Sequence, residues 1–284
     1  MIISTLMCIY LQFVFGVQST RGIFGLGYGF QRVCFCRCGV TNGNSGNTRT
    51  GRVSGEWYIS PHEYPWLVAI NIGPQVIAGS LISDSHILTA ASPLYGLTPD
   101  RLTVTLGAHD RCAVGGSALN VSVESIILRS GYSPKSLENN LALVKLQHAV
   151  VFSQYISPIC LPFLGTRYSE QLTWIAGWSP INLSCTPHVA ILPTLPTAAC
   201  LQEAGNNLSR NDKGCLGPLS FQNGTCKNDV GSPVMVRWSS NASLRLAGVL
   251  TKSSCDITTS SLYTRVVDYI GWIHEHIRRD CQCI

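Results

Sequence analysis

The fold is decided by residues 75–91, which read QVIAGSLISDSHILTAA. Two short apolar runs, 75–82 and 87–90, flank a polar turn segment. Further runs of this kind occupy residues 66–72, 102–106, 121–128, 141–146, 174–176, 234–238 and 246–250. Short runs rich in β-branched residues and separated by turn residues are typical of an all-β sandwich or barrel. The central part of the chain is therefore predicted to be all-β.

The C-terminal segment has a different periodicity. An apolar stripe recurs there at spacings of four, three and four residues: Val266, Ile270, Ile273 and Ile277. These spacings place the four side chains on one face of an α-helix. A C-terminal helix is predicted over about residues 266–279, with two arginines in its last turn, where cations interact favourably with the helix dipole.

The composition excludes several classes of protein. The 284-residue chain is 45% hydrophobic and only 12% charged, which argues against disorder and against a highly solvated helical protein. The formal net charge is +5, but no run of five or six basic residues occurs. A nucleic acid therefore has little support as a partner, whereas weak attraction to an acidic surface remains compatible with this charge.

Two segments precede the strand-rich region. Residues 1–17 are mostly apolar and resemble the core of a signal peptide, so cleavage is predicted near residue 19. This stretch is short for a membrane span, because about 20 apolar residues are needed. Residues 20–52 are rich in Cys, Gly, Asn, Ser and Thr and are predicted to form an extended pro-segment. Residues 53–284 are predicted to form the folded domain.

The cysteines and the glycosylation sequons indicate an oxidising compartment. Of 13 cysteines, Cys8 lies in the predicted signal peptide, and the even number that remains suits disulfides. A zinc site is the alternative interpretation of Cys34, Cys36 and Cys38, but their spacing lacks a paired C-x-x-C. Together these features predict a secreted glycoprotein that needs no cofactor or metal ion. The N-glycosylation acceptors are Asn120, Asn182, Asn207, Asn223 and Asn241.

Several short segments carry a more specific resemblance through their order and spacing. They are PWLV (65–68), GSLIS (79–83), LTAA (88–91), NNLALVKL (139–146), ICLP (159–162), AGW (176–178), CKNDVGSP (226–233), YTRV (263–266) and WI (272–273). Over about residues 52–273 the chain resembles the chymotrypsin/trypsin family of serine proteases. The resemblance implies two six-stranded antiparallel β-barrels of trypsin-like type with a C-terminal α-helix, and an active site in the cleft between the barrels.

The residues at the family's catalytic positions cannot perform acyl transfer. Ser92 stands where the family has its histidine, Asn140 where it has its aspartate, and Val230 where it has its nucleophilic serine. Acyl transfer needs a hydroxyl nucleophile, a base that takes its proton and an acid that holds the base. Serine is no base near neutral pH, asparagine carries no charge, and valine has no hydroxyl. The chain is therefore predicted to be an inactive pseudoprotease that acts by binding unknown protein partners.

Two alternatives stay open. One is an endopeptidase with atypical catalytic groups, which would need a base near Ser92 that the sequence does not show. The other is a decoy that occupies protease inhibitors or substrates without cutting. The seven histidines match no catalytic position and are predicted to be surface or structural residues.

The residues expected to line the substrate groove are altered as well. Asn228 replaces a glycine that shapes the oxyanion loop, and Gly224 stands near the pocket base, where the family often has an aspartate. A glycan on the neighbouring Asn223 would stand at or near that pocket. The segment Leu250-Thr251-Lys252 replaces the Ser-Trp-Gly strand that pairs with substrate backbone. A lysine at the last of these positions is expected to intrude into the groove or to repel a ligand.

The resemblance also implies part of the disulfide framework. Two family bridges have lost both ends, at Ile77 with Pro93 and at Thr173 with Val236, which avoids an orphan thiol. The three implied disulfides are Cys38–Cys160, Cys200–Cys215 and Cys226–Cys255. The unassigned cysteines, for which bridges between the chain ends or to another chain are both open, are Cys34, Cys36, Cys112, Cys185, Cys281 and Cys283.

The segment at Arg52 and Val53 resembles the family's activation site, where cleavage after a basic residue frees an aliphatic amine. In the family this amine inserts beside the aspartate of the nucleophile loop, which corresponds here to Asp229. The alternative is that Asp229 only accepts backbone N–H groups in a tight loop. Both interpretations stay open at the level of the sequence.

Overall fold

The computed structural model describes residues 34, 36–43, 52–53, 56–113, 116–178, 185–196, 212–217, 230–237, 239, 242–252 and 260–283. Residues 31–284 cluster into one compact unit, to which every element below belongs. The predicted signal peptide and most of the predicted pro-segment lie outside the described residues. Within the described ranges, no helix is long and apolar enough to cross a membrane.

A short hairpin precedes a closed barrel. Strand β1 (Arg52–Val53) pairs antiparallel with β2 (Glu56–Tyr58). The six strands of the first barrel are β3 (Leu67–Ile72), β4 (Gln75–Leu81), β5 (His86–Thr89), β6 (Leu102–Leu106), β7 (Leu119–Leu128) and β8 (Ala142–Leu146). Their order around the barrel is β3-β4-β5-β8-β7-β6. Strands β5 and β8 are therefore neighbours, although β6 and β7 lie between them in the chain.

A second barrel follows in the chain. Its strands are β9 (Leu172–Gly177), β10 (His188–Leu195), β11 (Lys213–Leu216), β12 (Pro233–Val236), β13 (Arg245–Lys252) and β14 (Ser261–Arg265). The order β10-β11-β14-β13-β12-β9 is closed by pairing of β9 with β10, and the β1–β2 hairpin extends this sheet along β10. The predicted architecture of two six-stranded antiparallel barrels is thus confirmed.

The alternation of apolar and polar residues explains how these strands face a core. In β6 the apolar side chains at 102, 104 and 106 are buried, whereas the threonines between them are more exposed. Trp66, just before β3, is fully buried, and its Nε1–H donates to Met235 Sδ of β12 at 3.2 Å. One continuous apolar cluster contains side chains from both barrels. The two barrels therefore share one apolar cluster at their junction.

The C-terminal helix is shorter than the periodicity predicts. Residues Val266–Tyr269 form a 3-10 turn, and helix α1 (Ile270–Ile277) follows. The apolar stripe is buried as expected, with Ile270, Ile273 and Ile277 packed into the core. A 3-10 turn at a helix start is common and places side chains three residues apart on the same face. This explains why a helical pattern beginning at Val266 overestimates the α-helix.

Candidate functional site

Ser92 and Asn140 meet at the end of the β5–β8 ladder. Ser92 begins a 3-10 turn just after β5, and Asn140 lies just before β8. The register pairs Thr89 with Ala142, which brings the two segments side by side. The Ser92 N–H donates to Asn140 Oδ1 at 2.7 Å, and Asn140 Nδ2 donates to Ser92 Oγ at 3.3 Å.

The Ser92–Asn140 pair contains no group that exchanges a proton near neutral pH. Asn140 is fully buried, and its amide oxygen and nitrogen both contact Ser92. An amide and a hydroxyl in this arrangement fix the geometry of two loops, but neither takes a proton from a nucleophile. The pair is a structural hydrogen bond at the place where the resemblance expects the base and its acid.

A buried ion pair that sequence reasoning missed lies close in space. Lys213 in β11 is fully buried, and its Nζ donates to both carboxylate oxygens of Asp212, at 2.8 and 2.9 Å. Burial lowers the pKa of Lys213, and the hydrogen bond and charge of Asp212 oppose that shift. Two adjacent charged residues in a sequence are usually exposed, so no sequence signal marked this pair as buried.

Asp212 connects the second barrel to the loop that carries Asn140. Asp212 Oδ2 accepts the Asn139 N–H at 3.0 Å and the Tyr269 hydroxyl at 2.7 Å. Asn139 adopts a left-handed backbone with a φ of 53°, a conformation that asparagine tolerates better than most residues. Burial first, and then the bond to Asp212, raise the pKa of Tyr269 well above its usual range, so it stays a neutral donor. Because Asn139 directly precedes Asn140, this network positions the Ser92–Asn140 pair.

Val230 lies on the second barrel just before β12. Its side chain is half-buried and packs against the main apolar cluster. The next residue, Gly231, has a φ of 96°, and an added Cβ would come within 2.4 Å of Ala78 O and 2.5 Å of Thr89 Oγ1. The Gly231 N–H donates to Leu250 O at 2.9 Å. Glycine thus allows this loop to touch the first barrel, and a hydrocarbon side chain stands where the resemblance expects the nucleophile.

The predicted groove strand is the end of β13. Leu250 and Thr251 are buried, and Thr251 Oγ1 forms a 2.7 Å hydrogen bond with Thr264 Oγ1. Lys252 follows a bulge and its side chain is exposed to solvent. Whether Lys252 intrudes into the groove or repels a ligand stays a prediction. Two further groove residues lie outside the described residues: Gly224 and Asn228.

The predicted activation bond, Arg52–Val53, lies in strand β1 at the edge of the second sheet. The backbone pairs Arg52 with Trp57 and Val53 with Glu56. An edge strand leaves one row of its backbone groups unpaired with the sheet. The predicted partner of the freed amine, Asp229, lies outside the described residues, so insertion of the amine stays a prediction.

Disulfides join the N-terminal cysteine cluster to the C-terminal one. The described bridges are Cys34–Cys281, Cys36–Cys283, Cys38–Cys160 and Cys112–Cys185. The Cys38–Cys160 bridge is the one that the resemblance implies. The sequence left open whether these cysteines pair within the chain or with another chain. The first two bridges pair them within the chain, between the N-terminal and C-terminal cysteine clusters. Because these sulfurs are bonded in pairs, the zinc interpretation of the N-terminal cluster is wrong.

Two predicted disulfides remain, Cys200–Cys215 and Cys226–Cys255. Cys215 in β11 is disulfide-bonded, but its predicted partner Cys200 lies outside the described residues, as does the predicted Cys226–Cys255 pair. The register of β9 and β12 pairs Met235 with Trp174, so Val236 and Thr173 are the next residues along the two strands, and both are buried. Their proximity agrees with the inference that one ancestral bridge lost both of its ends.

Cleavage after Arg52 is expected to leave the two pieces covalently linked, because described disulfides join residues 34–38 to Cys160 and to residues 281–283. Limited digestion with trypsin, followed by mass spectrometry with and without reductant, measures this. The non-reduced protein should gain the mass of one water, and the N-terminal piece should appear only after reduction. Release of that piece without reductant would contradict the pairings. Survival of the Arg52–Val53 bond while other bonds are cut would argue against the activation site.

Asn120 is the predicted glycosylation site that falls among the described residues. It lies in β7 with its side chain exposed. Its Oδ1 accepts the Thr105 hydroxyl at 2.7 Å, an arrangement that keeps the Nδ2 atom available for a glycan. Glycosylation there stays a prediction. The other four acceptors lie outside the described residues: Asn182, Asn207, Asn223 and Asn241.

Comparison with known proteins agrees with this architecture. Residues 55–273 match the family described as Trypsin, and the chain therefore belongs to the trypsin family. Trypsin of Squalus acanthias is 28% identical over 236 residues, which cover 80% of this chain and 96% of the relative. Trypsin V-A of Rattus norvegicus is 27% identical over 237 residues, which cover 80% and 89%. Serine protease grass of Drosophila melanogaster is 26% identical over 263 residues, which cover 82% and 69%.

Proposed function

We propose that this chain is a secreted, catalytically inactive member of the trypsin family that acts by binding other proteins. The observation that carries the proposal is the hydrogen-bonded Ser92–Asn140 pair, with Val230 on the facing barrel. Peptide hydrolysis on this scaffold uses an imidazole held between a carboxylate and a serine hydroxyl. A hydroxyl, an amide and a hydrocarbon cannot perform those proton transfers.

The loss of catalytic rate expected from changes at the triad positions supports inactivity. Removal of a triad member from a serine protease leaves only about 10³–10⁴-fold acceleration over water, which comes from substrate binding and the oxyanion hole. In this chain all three positions differ, and the hydroxyl of Ser92 already accepts a hydrogen bond from Asn140. The named proteases among its relatives make an atypical endopeptidase the main alternative. That alternative needs a base, and the described hydrogen-bond partner of Ser92 is a neutral amide.

The disulfide framework supports secretion. The described residues include four complete disulfides, and stable disulfides are characteristic of oxidising compartments. The predicted signal peptide and sequons point the same way. A rigid, disulfide-linked double barrel suits a binding role, because its loops are presented from a fixed scaffold.

An exposed aromatic side chain beside Ser92 supports the binding role. Tyr95 follows the 3-10 turn that begins at Ser92, and 58% of its surface is exposed. Its ring packs edge-on against the ring of Tyr132, with 5.5 Å between the ring centres. Tyrosine is enriched in protein interfaces because it supplies a large, rigid contact area with one polar group.

Covalent labelling with a fluorophosphonate probe tests the proposed inactivity. The purified protein should show no labelling, because the probe reacts with a serine hydroxyl that a neighbouring base has activated. An active trypsin is the positive control, and the variant Ser92→His with Asn140→Asp and Val230→Ser is the matched control from this chain. Stoichiometric labelling of the unaltered protein would contradict the proposal. Its capture by an immobilised reversible trypsin-family inhibitor would favour the decoy alternative instead.

A further inference from the structure

A small cavity at one end of the second barrel is lined by two arginines. It encloses about 160 Å³ between the segment that precedes β9 and the turn that precedes β13. Arg237 and Arg245 line this space, which we call the arginine cavity, together with Phe163 and Tyr168. Its described lining includes no acidic residue. We infer that the arginine cavity docks an acidic segment of a partner protein, one Asp or Glu side chain of which meets the two guanidinium groups.

The arginine cavity lies away from the degenerate triad. Val230 stands just before β12, and Arg237 follows the last residue of this strand. At about 3.3 Å per strand residue, these two positions are separated by roughly 20 Å. Arg245 likewise begins β13, whereas the predicted groove segment ends that strand. The inference therefore adds a second surface. It rests on the binding role proposed above, but not on the absence of catalysis.

Arg245 presents its guanidinium group in a fixed orientation. Its Nη1 donates to Leu161 O at 2.7 Å, and its Cζ atom lies 3.7 Å from the centre of the Phe163 ring. Among the described residues, no carboxylate forms an ion pair with Arg245. A guanidinium has five N–H donors in a planar fork that matches a carboxylate. The donors not used on Leu161 are therefore suited to an acidic side chain from a partner.

The backbone at Arg245 is anchored as well. Arg245 forms a parallel bridge with Cys160, and the Leu246 N–H donates to Cys160 O at 2.9 Å. Cys160 is in turn disulfide-bonded to Cys38. A donor that is already held in place loses little conformational entropy when a ligand binds. This anchoring favours a preformed docking site over a surface that must reorganise.

Arg237 adds a second positive charge to the arginine cavity. The register pairs Val236 with Arg245, so Arg237 and Arg245 are diagonal neighbours on adjacent strands. Two like charges in one small space repel each other, and an anionic occupant removes this cost. Burial raises the pKa of the lining residue Tyr168, whereas its bond to Thr166 and the charge of Arg245 lower it. Its hydroxyl therefore stays protonated near neutral pH.

The size and rim of the arginine cavity favour a protein segment over a small molecule. Drug-sized ligands occupy pockets of about 300–1,000 Å³, whereas about 160 Å³ suits one side chain. Three large apolar side chains lie exposed in the segment that forms one wall, Phe163, Leu164 and Leu172, at 55%, 78% and 59%. Exposed apolar side chains of this kind mark protein interfaces. The expected ligand is thus an acidic residue flanked by apolar ones.

A sugar is the alternative occupant of the arginine cavity. The predicted glycosylation acceptor Asn241 directly precedes Ala242 and Ser243, which belong to the lining. Asn241 itself lies outside the described residues. The first sugar of an N-linked glycan is uncharged and gives no counter-charge to two arginines. The charge of the lining therefore favours an acidic peptide segment.

Fluorescence anisotropy with two pools of fluorescein-labelled heptapeptides tests the inference on the full-length secreted protein. Both pools carry apolar residues around a central position, which is Glu in one pool and Gln in the other. Saturable binding of the Glu pool is expected, about tenfold or more tighter than that of the Gln pool, because only the carboxylate pairs with the guanidinium groups. Added salt should weaken the binding of the Glu pool.

Substitutions in the arginine cavity assign the binding to these side chains. Arg237→Gln and Arg245→Gln should each weaken binding of the Glu pool about tenfold or more. Arg245→Lys keeps the positive charge but lacks the planar fork, so its affinity should fall between those of the unaltered protein and Arg245→Gln. Melting curves first establish that each variant is folded.

Two controls separate this site from general attraction to a basic protein. Arg101→Gln changes an exposed arginine on the first barrel, and Asn241→Gln removes the glycan acceptor; binding should be unchanged in both. Absence of binding, equal binding of the two pools, or binding that survives both cavity substitutions would overturn the inference. Binding found only in Asn241→Gln would assign the cavity to the glycan and overturn it too. Peptide hydrolysis by the protein would contradict inactivity but leave this site unaffected.

Discussion

Replacing Asp212 by asparagine is expected to lower the free energy of unfolding by about 3–5 kcal/mol. Asp212 is 6% exposed as a residue, and its carboxylate lies 2.8 Å from the fully buried ammonium of Lys213. A neutral amide leaves that ammonium without its partner charge in a site that water does not reach. Asparagine also weakens the acceptor that holds the Asn139 N–H and the Tyr269 hydroxyl. The loss should therefore exceed that of a surface ion pair, which contributes about 0–1 kcal/mol.

The matched control removes both charges. The double variant Asp212→Asn with Lys213→Met should regain most of the lost stability, because an apolar side chain of similar length replaces the stranded ammonium. Urea unfolding with the disulfides intact measures all three proteins. A loss below about 1 kcal/mol for Asp212→Asn would show that the pair is solvated. A double variant no more stable than the single one would assign the loss to the hydrogen bonds rather than to the charge.

Acid is expected to destabilise the protein through His188, by about 3 kcal/mol once the pH has fallen to 4 or below. His188 in β10 is buried, and burial lowers its pKa to about 4. The unfolded chain, with a histidine pKa near 6.5, takes up the proton first as the pH falls. The stability due to neutral His188 is thus fully present above about pH 6.5 and is lost progressively toward pH 4.

His188→Phe tests this origin because it keeps a ring but removes the titrating group. Its free energy of unfolding should change less between pH 7 and pH 4 than that of the unaltered protein. His148→Gln, at an exposed position, should show the full change. Equal pH dependence in all three proteins would exclude His188 as the source.

The apolar runs predicted the fold because most strands bury a continuous or alternating face. The run at 102–106 coincides with β6, and the run at 75–82 with β4. Three strands of the second barrel escaped prediction: β10, β11 and β14. Strand β10 contains Pro193, and proline usually argues against a strand. Strand β11 has four residues and begins with Lys213, whose charge conceals that the side chain is buried.

The candidate site could be located from the sequence but not explained by it. The spacing of short motifs identified Ser92 and Asn140, and the structure brings them into hydrogen-bonding contact. Their support by Asp212 depends on a contact between residues 73 positions apart in the chain. No local pattern reports such a contact. Cysteine spacing likewise left the Cys112–Cys185 bridge unassigned, because a set of cysteines allows many connectivities.

The most direct test of the central claim is hydrolysis of a broad peptide library by the purified protein, before and after trypsin cleavage at Arg52 and removal of the trypsin. We expect no peptide to be cut above background in either state, because neither Ser92 nor Asn140 takes a proton and Val230 offers no nucleophile. Hydrolysis that follows the protein through every purification step would contradict the account and would require another nucleophile beside Ser92.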